Sequence, residues 1–369
     1  MPQIELREVR QDCIHFRGNI PCRPNKVSGA VCNSCDFYRP VSKRILIIKL
    51  GAIGDVIRTT PLLTAYRDLY PDCHITWLTL FPDVLPKEQV NTILTPDAFS
   101  LFLIAGSTYD IAVNLDKEAE ACMLLASVKA TSKFGYSYDG RQIVPATPAA
   151  EHKLMTGFFD QISMANTKSY VEEIFEICHF RFNGEDYLIN RNEQLCAQWA
   201  ADIAQLASGK KVVGLNTGCG PRWNTRLWPE ESWMKLAVQL RENGYFPVFL
   251  GGSLEHEKNQ RMAEQTGCWY PGHFSLEEFI AVTSGCELIV TQVSMMMHIA
   301  TALQKQMVLM NTIFNSHEFE LYGRGEIITP STGCECYYGN TCKRGLSCMH
   351  DLEPGEVAQA VMRVLTVSR

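Results

Sequence analysis

The sequence predicts an α/β protein with two domains, each built around a parallel sheet. Two series of short apolar strands alternate with helical stretches, one series in each half of the chain. Each series opens on a buried strand that ends in a glycine-rich turn, at residues 45–54 and again at residues 210–220. Such alternation is typical of parallel strands joined by right-handed helical crossovers. Since 369 residues suffice for two cores of ordinary size, we expect two Rossmann-like domains that face each other across a cleft.

The first series opens on the stretch KRILIIKLGAIGDVIRTTPLL, residues 43–63. The run Ile45–Ile48 is continuously apolar and mostly β-branched, which predicts a strand buried on both faces. Gly51 and Gly54 permit a tight turn and a close backbone approach, and the spacing of apolar residues predicts a helix over 56–69. The turn therefore lies where a parallel sheet offers helix N–H groups to an anion. Further strands are predicted at 74–80 and 109–116.

The second series repeats this order after a junction near residues 183–195. Strands are predicted within 210–220 and at 246–252, 287–292 and 306–311, with helices at 231–243, 255–264 and 297–304. The predicted organisation is a cysteine-rich N-terminal segment (1–42), a first domain (43–188), a second domain (189–330) and a cysteine-rich segment with a C-terminal helix (331–369).

Composition and charge exclude several classes of protein. A hydrophobic fraction of 46% and a charged fraction of 20% describe a soluble globular chain. The formal net charge of −6 argues against sequence-independent nucleic-acid binding, which needs a basic surface. No apolar run approaches the roughly 18 residues of a spanning helix, and the start has no signal-peptide core. We therefore expect a cytoplasmic protein with no nucleic-acid partner.

Four stretches in fixed order resemble a known family. They are ILIIKLGAIGDVIRTTPLL, VVGLNTGCG…RLWPEESW, FLGGSLEHE and HIATAL, and together they cover roughly residues 43–365. They resemble the ADP-heptose:lipopolysaccharide heptosyltransferases, glycosyltransferase family 9. The resemblance implies a GT-B fold and inverting transfer of a sugar, usually a heptose, from an ADP-sugar to a lipopolysaccharide core or other glycan. It also implies transient contact with the inner face of the cytoplasmic membrane, and no catalytic cofactor.

The resemblance implies two catalytic residues. Asp55 matches the family's base, which takes the acceptor hydroxyl proton, although an acid at a helix start also gains from the helix dipole. Arg226 matches a position where the family commonly has lysine, and a cation there would offset charge on the departing diphosphate. The alternative for Arg226 is a solvated loop cation. The two glycines alone predict little, because many α/β loops carry them for structural reasons.

Further positions match residues that hold the donor. The implied set is Gly51 and Gly54 beside the sugar, Thr217 and Gly218 at phosphate oxygens, Glu255 at ribose hydroxyls, Phe274 beside adenine, and Ser294, Met295 and His298 around the start of a second-domain helix. The alternatives are an acid that stabilises a helix start for Glu255 and an aromatic residue of the core for Phe274.

Two stretches depart from the family pattern. In TQVSMMMHIA (residues 291–300), which resembles T-N-D-S-G-P-M-H-I-A, Val293 replaces an aspartate and two methionines replace Gly-Pro. The stretch FNSHEFELYG brings His317, Glu318 and Glu320 near the expected cleft, either to rebuild the donor pocket or as ordinary surface charges. Because Val293 replaces the aspartate of the family pattern, there is a second hypothesis, a non-catalytic sugar-nucleotide-binding protein of the same fold. Acceptor contacts are expected from first-domain loops such as residues 132–141.

Eight of the 15 cysteines fall in two short windows. They are Cys13, Cys22, Cys32 and Cys35 near the start, and Cys334, Cys336, Cys342 and Cys348 near the end. The Cys-x-x-Cys spacing at residues 32–35 is typical of metal knuckles, and four thiolates suit zinc, iron or an iron–sulfur cluster. Both windows have little apolar core, so a structural metal, zinc before iron, would supply folding free energy. Unligated thiols are the alternative.

Overall fold

Two mainly parallel sheets form the framework of the computed structural model, which describes residues 4–367. The first sheet contains β1 (Arg44–Ile48), β2 (His74–Leu78), β3 (Thr92–Leu94), β4 (Thr108–Asn114), β5 (Lys129–Tyr138) and β6 (Ile143–Pro145), in the order β3-β2-β1-β4-β5-β6. The second contains β7 (Val212–Asn216), β8 (Phe246–Leu250), β9 (Leu288–Gln292), β10 (Gln306–Met310) and β11 (Gly325–Ile328), in the order β11-β10-β9-β7-β8. Only the β5–β6 pair is antiparallel among the pairs described. The elements from β1 to the helix that ends at Ile177 are called the first half below. Those from the helix that begins at Glu193 to the last helix are called the second half.

Helices cover the sheets and connect their strands. Those before the second sheet are α1 (Arg23–Ser28), α2 (Ile53–Ile57), α3 (Pro61–Leu69), α4 (Ala98–Gly106), α5 (Ala119–Ser127), α6 (Glu151–Phe158), α7 (Asp160–Ala165), α8 (Tyr170–Ile177) and α9 (Glu193–Ala207). Those that follow are α10 (Glu230–Glu242), α11 (His256–Thr266), α12 (Leu276–Ser284), α13 (Met295–Ala302) and α14 (Pro354–Val367). This is the alternating α/β architecture that the sequence predicts.

The strand β1 is buried on both faces, as its apolar run predicts. Ile45 and Ile47 contribute to one apolar core and Leu46 and Ile48 to another, because successive strand residues point to opposite faces. In the second half, α14 packs into the core that contains β7, where its residue Val361 is fully buried. The C-terminal helix thus completes the second half rather than standing apart from it.

Two local predictions differ from the structure. The helix expected over 56–69 is divided into α2 and α3, since Pro61 has no N–H to continue it and the hydroxyl of Thr60 donates to the Ile57 carbonyl at 2.7 Å. The stretch 132–141, expected as a loop, is mostly strand β5, which ends in a hairpin to β6. Its alternation of polar and apolar residues is the strand signal that the prediction missed.

The two halves are in direct contact along α2 and α13. Gly54 on α2 lies so close to the His298 ring that an added Cβ would stand 2.5 Å from Cδ2. The extended linker after α8 is also held to the first half, because the Leu188 N–H donates to the Thr60 hydroxyl at 2.7 Å. Glycine at position 54 therefore sets how closely the halves approach.

The N-terminal segment is attached to the first half at Asp72, whose carbonyl accepts from the Ser42 N–H at 3.0 Å and whose carboxylate lies 3.5 Å from Arg39 Nη1. Within the segment, the Ile14 N–H donates to the Arg39 carbonyl at 2.8 Å, and the Val41 N–H donates to the Asp12 carbonyl at 2.7 Å. Across residues 4–367, no helix has the length and apolar character needed to span a bilayer.

Candidate active site

Two cavities adjoin the loop that carries Gly51. One, the second-half cavity, has a volume of about 470 Å³ and lies at the carboxyl ends of β7, β8 and β9, where ligands bind in open parallel sheets. Its lining includes five of the predicted donor residues, namely Gly218, Glu255, Phe274, Ser294 and Met295, together with Asn216, Cys219 and Gly252. The structure therefore brings together most of the donor set from three separate connections.

The carboxylate of Glu255 closes one side of the second-half cavity. Its Oε2 accepts a hydrogen bond from the Gly252 N–H at 3.0 Å, so the acid caps the short turn that precedes α11. The capping role and the predicted role toward hydroxyl groups are compatible, because a carboxylate has several acceptor positions. Gly218 lies against the same carboxylate, and an added Cβ would stand 2.4 Å from Glu255 Cδ.

We expect Gly218→Ala to weaken nucleotide binding by about tenfold or more. The new methyl group would displace the Glu255 carboxylate from its place in the cavity wall. Titration calorimetry with ADP measures the effect, and Gly355→Ala is the matched control because no atom lies within 4 Å of the Cβ position there. Equal ADP affinity in both variants would contradict a role of this wall in nucleotide binding.

The opposite side of the second-half cavity is formed by Phe274 and the start of α13. Phe274 packs edge-to-face on Trp199 with ring centroids 5.2 Å apart, so its ring is held in place. Ser294 and Met295 begin α13, where the backbone N–H groups have no partner within the helix and favour an anion. These N–H groups remain available although the side chains differ from the family pattern.

Two residues of the predicted donor set lie behind the cavity. The hydroxyl of Thr217 donates to Asn259 Oδ1 at 2.6 Å, and its N–H donates to the Leu250 carbonyl at 3.1 Å, so both donors are used internally. His298 is buried between the halves, where its ring stacks on Tyr187 with centroids 6.2 Å apart. Burial and the nearby positive charge of Arg58 lower the pKa of His298 to about 3, so the ring is neutral.

Arg226 is buried and holds two loops together. Its guanidinium donates to the carbonyls of Cys219 at 2.6 Å and Trp223 at 3.3 Å, and also to the carbonyl of Val293. It does not line the second-half cavity. Arg226 thus fixes the loops after β7 and β9, and its contact with a diphosphate stays a prediction.

The other cavity, the cleft cavity, has a volume of about 620 Å³ and lies between the halves. Asp55 and Gly51 line it, as do residues for which the sequence predicted no role in the site. From the first half these are Lys49, Arg58, Asp116, Lys117, Tyr136, Lys153 and Tyr170; from the second half they are Trp223, Tyr338 and Asn340, together with Glu318, which the sequence analysis placed near the cleft. A cavity with this mixture of charged and aromatic groups suits a polar ligand with several hydroxyl groups.

Asp55 combines a helix cap with an open position on the cleft cavity. Its Oδ2 accepts from the Ala52 N–H at 3.1 Å, and its Oδ1 lies 2.7 Å from Arg58 Nη2. Its side chain keeps 31% exposure. Burial acts to raise the pKa of Asp55, but the positive charges of Arg58 and Lys49 outweigh it, so this pKa lies below its usual value. The carboxylate is therefore ionised at neutral pH and can accept a proton.

A buried lysine and a half-buried arginine fix the Asp55 loop. Lys49 Nζ donates to the Gly51 carbonyl at 2.9 Å and pairs with the Asp116 carboxylate. The guanidinium of Arg58 stacks on Tyr170, 3.5 Å from the ring centroid. A sequence signal existed for both, since Lys49 lies two residues before Gly51 and Arg58 follows Asp55 by about one helical turn.

The cysteines occupy two separate places. Cys13, Cys22, Cys32 and Cys35 all line one mainly apolar cavity of about 230 Å³ in the N-terminal segment. In the C-terminal cysteine loop (residues 334–348), the Cys336 N–H donates to Cys334 Sγ at 3.3 Å and the Lys343 N–H donates to Cys336 Sγ at 3.2 Å. Within residues 4–367, no three His, Cys, Asp or Glu side chains are grouped closely enough to hold one metal ion.

Two facing α/β halves with a cavity at the strand ends of the second and an acid on the cleft define a protein of the GT-B class. The profile of "Glycosyltransferase family 9 (heptosyltransferase)" matches residues 103–336. The chain belongs to this family.

Relatives and solved structures agree with this assignment. The chain is 32% identical to lipopolysaccharide heptosyltransferase 2 of Salmonella typhimurium over 112 residues, which cover 28% of this chain and only 31% of that relative. It is 23% identical to lipooligosaccharide heptosyltransferase 2 of Haemophilus influenzae over 291 residues, which cover 72% of this chain and 82% of that relative.

Three solved structures share the fold. The family 9 glycosyltransferase of Veillonella parvula gives a TM-score of 0.68 at 20% identity, covering 89% of this chain and 98% of the other. The Escherichia coli ADP-heptose lipopolysaccharide heptosyltransferase II gives 0.63 at 17% identity, covering 88% and 99%. The iron-containing dodecameric glycosyltransferase TibC of enterotoxigenic Escherichia coli gives 0.55 at 13% identity, covering 89% and 81%.

Proposed function

We propose that this protein is an inverting glycosyltransferase. It transfers a heptose or related sugar from an ADP-sugar to a lipopolysaccharide core or another glycan. The observation that carries the proposal is the position of Asp55. Its ionised carboxylate lines the cleft cavity, and the stretch of chain that carries it also borders the second-half cavity. Ile53, two residues earlier, lines the second-half cavity itself.

In this mechanism the second-half cavity holds the nucleotide, with Phe274 beside the base and Glu255 toward the ribose. The N–H groups at the start of α13 and the backbone near Gly218 face the diphosphate. They stabilise the negative charge that develops on it as its bond to the sugar breaks and the bond from the sugar to the acceptor oxygen forms. The acceptor lies in the cleft cavity. Asp55 takes the proton of the attacking hydroxyl, and the ion pair with Arg58 keeps the carboxylate aimed at the cavity.

The test is release of ADP by the purified protein. ADP-heptose and a lipopolysaccharide core oligosaccharide are supplied together and separately, and other nucleotide sugars serve as competing donors. We expect ADP release that depends on both substrates. No consumption of any nucleotide sugar, while a family 9 relative works in parallel, would refute the enzyme proposal.

A second candidate is a non-catalytic sugar-nucleotide-binding protein of the same fold. Val293 motivates it, because this apolar residue stands where the family pattern has an aspartate. Calorimetry separates the two candidates, since a binding protein takes up ADP-sugar without turnover. The presence of Asp55 at the cleft cavity favours the enzyme.

The proposal includes a cytoplasmic location with transient contact at the inner membrane surface, because a lipopolysaccharide acceptor is anchored in a bilayer. Helix α4 supports this part of the proposal. It carries no charged residue, and Phe99 and Phe102 on it are 87% and 78% exposed. Exposed apolar side chains clustered in this way mark interaction surfaces.

A structural metal, zinc or iron, at the cysteine windows is also part of the proposal, and TibC is a fold neighbour described as iron-containing. Two observations support it. The four N-terminal cysteines converge on one cavity, and N–H groups in the C-terminal cysteine loop point at sulfur atoms, as they do toward thiolates. The sulfur atoms would need to move closer to share an ion.

We expect protein purified without added metal to contain at least one equivalent of zinc plus iron. Cys32→Ser combined with Cys35→Ser should remove the N-terminal share, because two thiolate ligands are lost. Metal analysis by mass spectrometry measures both, and Cys286→Ser, at a buried core position, is the control. Less than about half an equivalent, with all 15 thiols titratable in the folded protein, would leave the windows as plain cysteines.

A further inference from the structure

We propose that Glu318 is a second carboxylate of the active site, which accepts hydrogen bonds from hydroxyl groups of the acceptor sugar, and that Tyr338 in the C-terminal cysteine loop positions it. This inference rests on the proposed transfer reaction and names a specificity determinant for its acceptor. Glu318 belongs to the stretch FNSHEFELYG, which departs from the family pattern.

Glu318 is a buried carboxylate with few partners. Its residue is 7% exposed, and both of its oxygens accept from the Tyr338 hydroxyl, at 2.8 Å and 3.1 Å. Among the described residues, no other donor or cation pairs with this side chain. A carboxylate offers about four acceptor positions, and leaving them empty in a buried place is unfavourable. A ligand that brings several hydroxyl groups would fill them.

The remaining acceptor positions of Glu318 face the cleft cavity. Glu318 lines that cavity together with Asp55, and its negative charge acts on Arg58 and on Lys117 from across it. Trp223 and Tyr338 add an aromatic wall beside the carboxylate, with ring centroids 5.9 Å apart. An aromatic wall beside a hydrogen-bonding carboxylate suits the apolar and hydroxylated faces of a pyranose.

The acceptor is favoured over the donor as the ligand of Glu318. Glu318 does not line the second-half cavity, where the nucleotide is proposed to lie. Its neighbours on the cleft cavity, including Lys117, Tyr136 and Lys153, come from the first half. The sugar that Glu318 contacts therefore lies on the side of Asp55 that is remote from the nucleotide.

The C-terminal cysteine loop holds Tyr338 in place. The Tyr338 N–H donates to the Ile313 carbonyl at 3.0 Å, and the carbonyl of the next residue, Gly339, accepts from the Thr225 hydroxyl at 3.0 Å. The neighbouring Tyr337 hydroxyl lies 2.7 Å from the Ser163 hydroxyl of the first half. The loop thus spans the cleft, and its contacts with both halves determine where Tyr338 meets Glu318.

The experiment compares the wild type with Glu318→Gln, Tyr338→Phe and the control Glu320→Gln. Glu320 is two residues away, does not line the cleft cavity, and its contact with the Tyr322 N–H is retained by glutamine. With a lipopolysaccharide core oligosaccharide as acceptor, Glu318→Gln should raise the acceptor KM about tenfold or more and leave the ADP-heptose KM unchanged. Tyr338→Phe should raise the acceptor KM less and retain kcat.

Thermal unfolding distinguishes acceptor binding from a purely structural role, because loss of a structural side chain would lower the Tm. Because Glu318→Gln removes a buried and incompletely paired charge, its Tm should equal or exceed that of the wild type. A lower Tm with an unchanged acceptor KM, or a rise in the donor KM alone, would overturn the assignment while wild-type turnover still upheld the proposed function. If the wild type has no turnover, calorimetric binding of the same oligosaccharide decides: equal affinity for wild type and Glu318→Gln overturns the assignment.

Discussion

Replacing Asp55 with asparagine is expected to lower turnover by at least about 10²-fold, because a positioned general base contributes about that much or more. Asparagine keeps the shape of the side chain and can still accept the Ala52 N–H. ADP affinity and the circular dichroism spectrum should therefore stay near the wild-type values. Single-turnover rates with saturating donor and acceptor measure the change.

The turnover of the wild type across the neutral pH range should not be limited by protonation of Asp55. The pKa of Asp55 lies below its usual value of about 3.9, so the base is ionised throughout the neutral range. The stability that its pair with Arg58 contributes is present above the unfolded pKa and is lost as the pH falls through the lower folded pKa. Asp202→Asn, on the exposed face of α9, is the control. Near-wild-type turnover of Asp55→Asn would reduce Asp55 to a helix cap.

Arg226→Ala is expected to have the largest effect on stability. The substitution leaves the buried carbonyls of Cys219 and Val293 without their donor, and each unsatisfied group costs about 1–3 kcal/mol. Together they should lower the free energy of unfolding by about 2–6 kcal/mol. Nucleotide affinity should fall as well, because both loops border the second-half cavity. Urea denaturation and ADP titration measure the two effects.

The control for this experiment is Arg261→Ala, since Arg261 is a half-exposed cation in a surface pair with Glu230. Such a pair contributes little to stability. If Arg226→Ala weakened ADP binding without loss of stability, a direct contact between the guanidinium and the diphosphate would be favoured over the loop-fixing role.

The strand β1 and the start of the helix α2 show where sequence reasoning succeeds. A β-branched run identifies a buried strand because burial on both faces leaves no polar alternation, and a helix must start just after the glycine turn. Local chemistry fixes both features, and they need no knowledge of distant segments. The same holds for most second-half elements, whose bounds lie within a few residues of those predicted.

Arg226 and Thr217 show what a local pattern does not report. Motif matching assigns a cation and a hydroxyl to the ligand, but the sequence does not reveal whether a carbonyl or an amide elsewhere in the chain will take them first. Here the carbonyl of Val293 and the side chain of Asn259 do so. Pairs separated by tens of residues in the chain are set by packing, which no local pattern reports.

The cleft cavity is missed by local patterns for the same reason on a larger scale. Lys117, Tyr136 and Lys153 come from three connections of the first half, whereas Glu318 and Tyr338 come from loops near the end of the chain. None of these residues stands in a local sequence pattern that marks it as a site residue. Their convergence depends on how the two halves are placed, and the sequence states only that a cleft exists.

The hydrogen bonds of Asn315 hold the two halves together beside the cleft cavity. Its Nδ2 donates to the carbonyls of Ser163 at 2.8 Å and Asn166 at 2.6 Å, and so fastens the second half to the first on one side of the cleft. With each bond worth about 0.5–1.5 kcal/mol, this contact resists separation of the two halves. Widening of the cleft cavity beside Ser163 therefore requires both bonds to break.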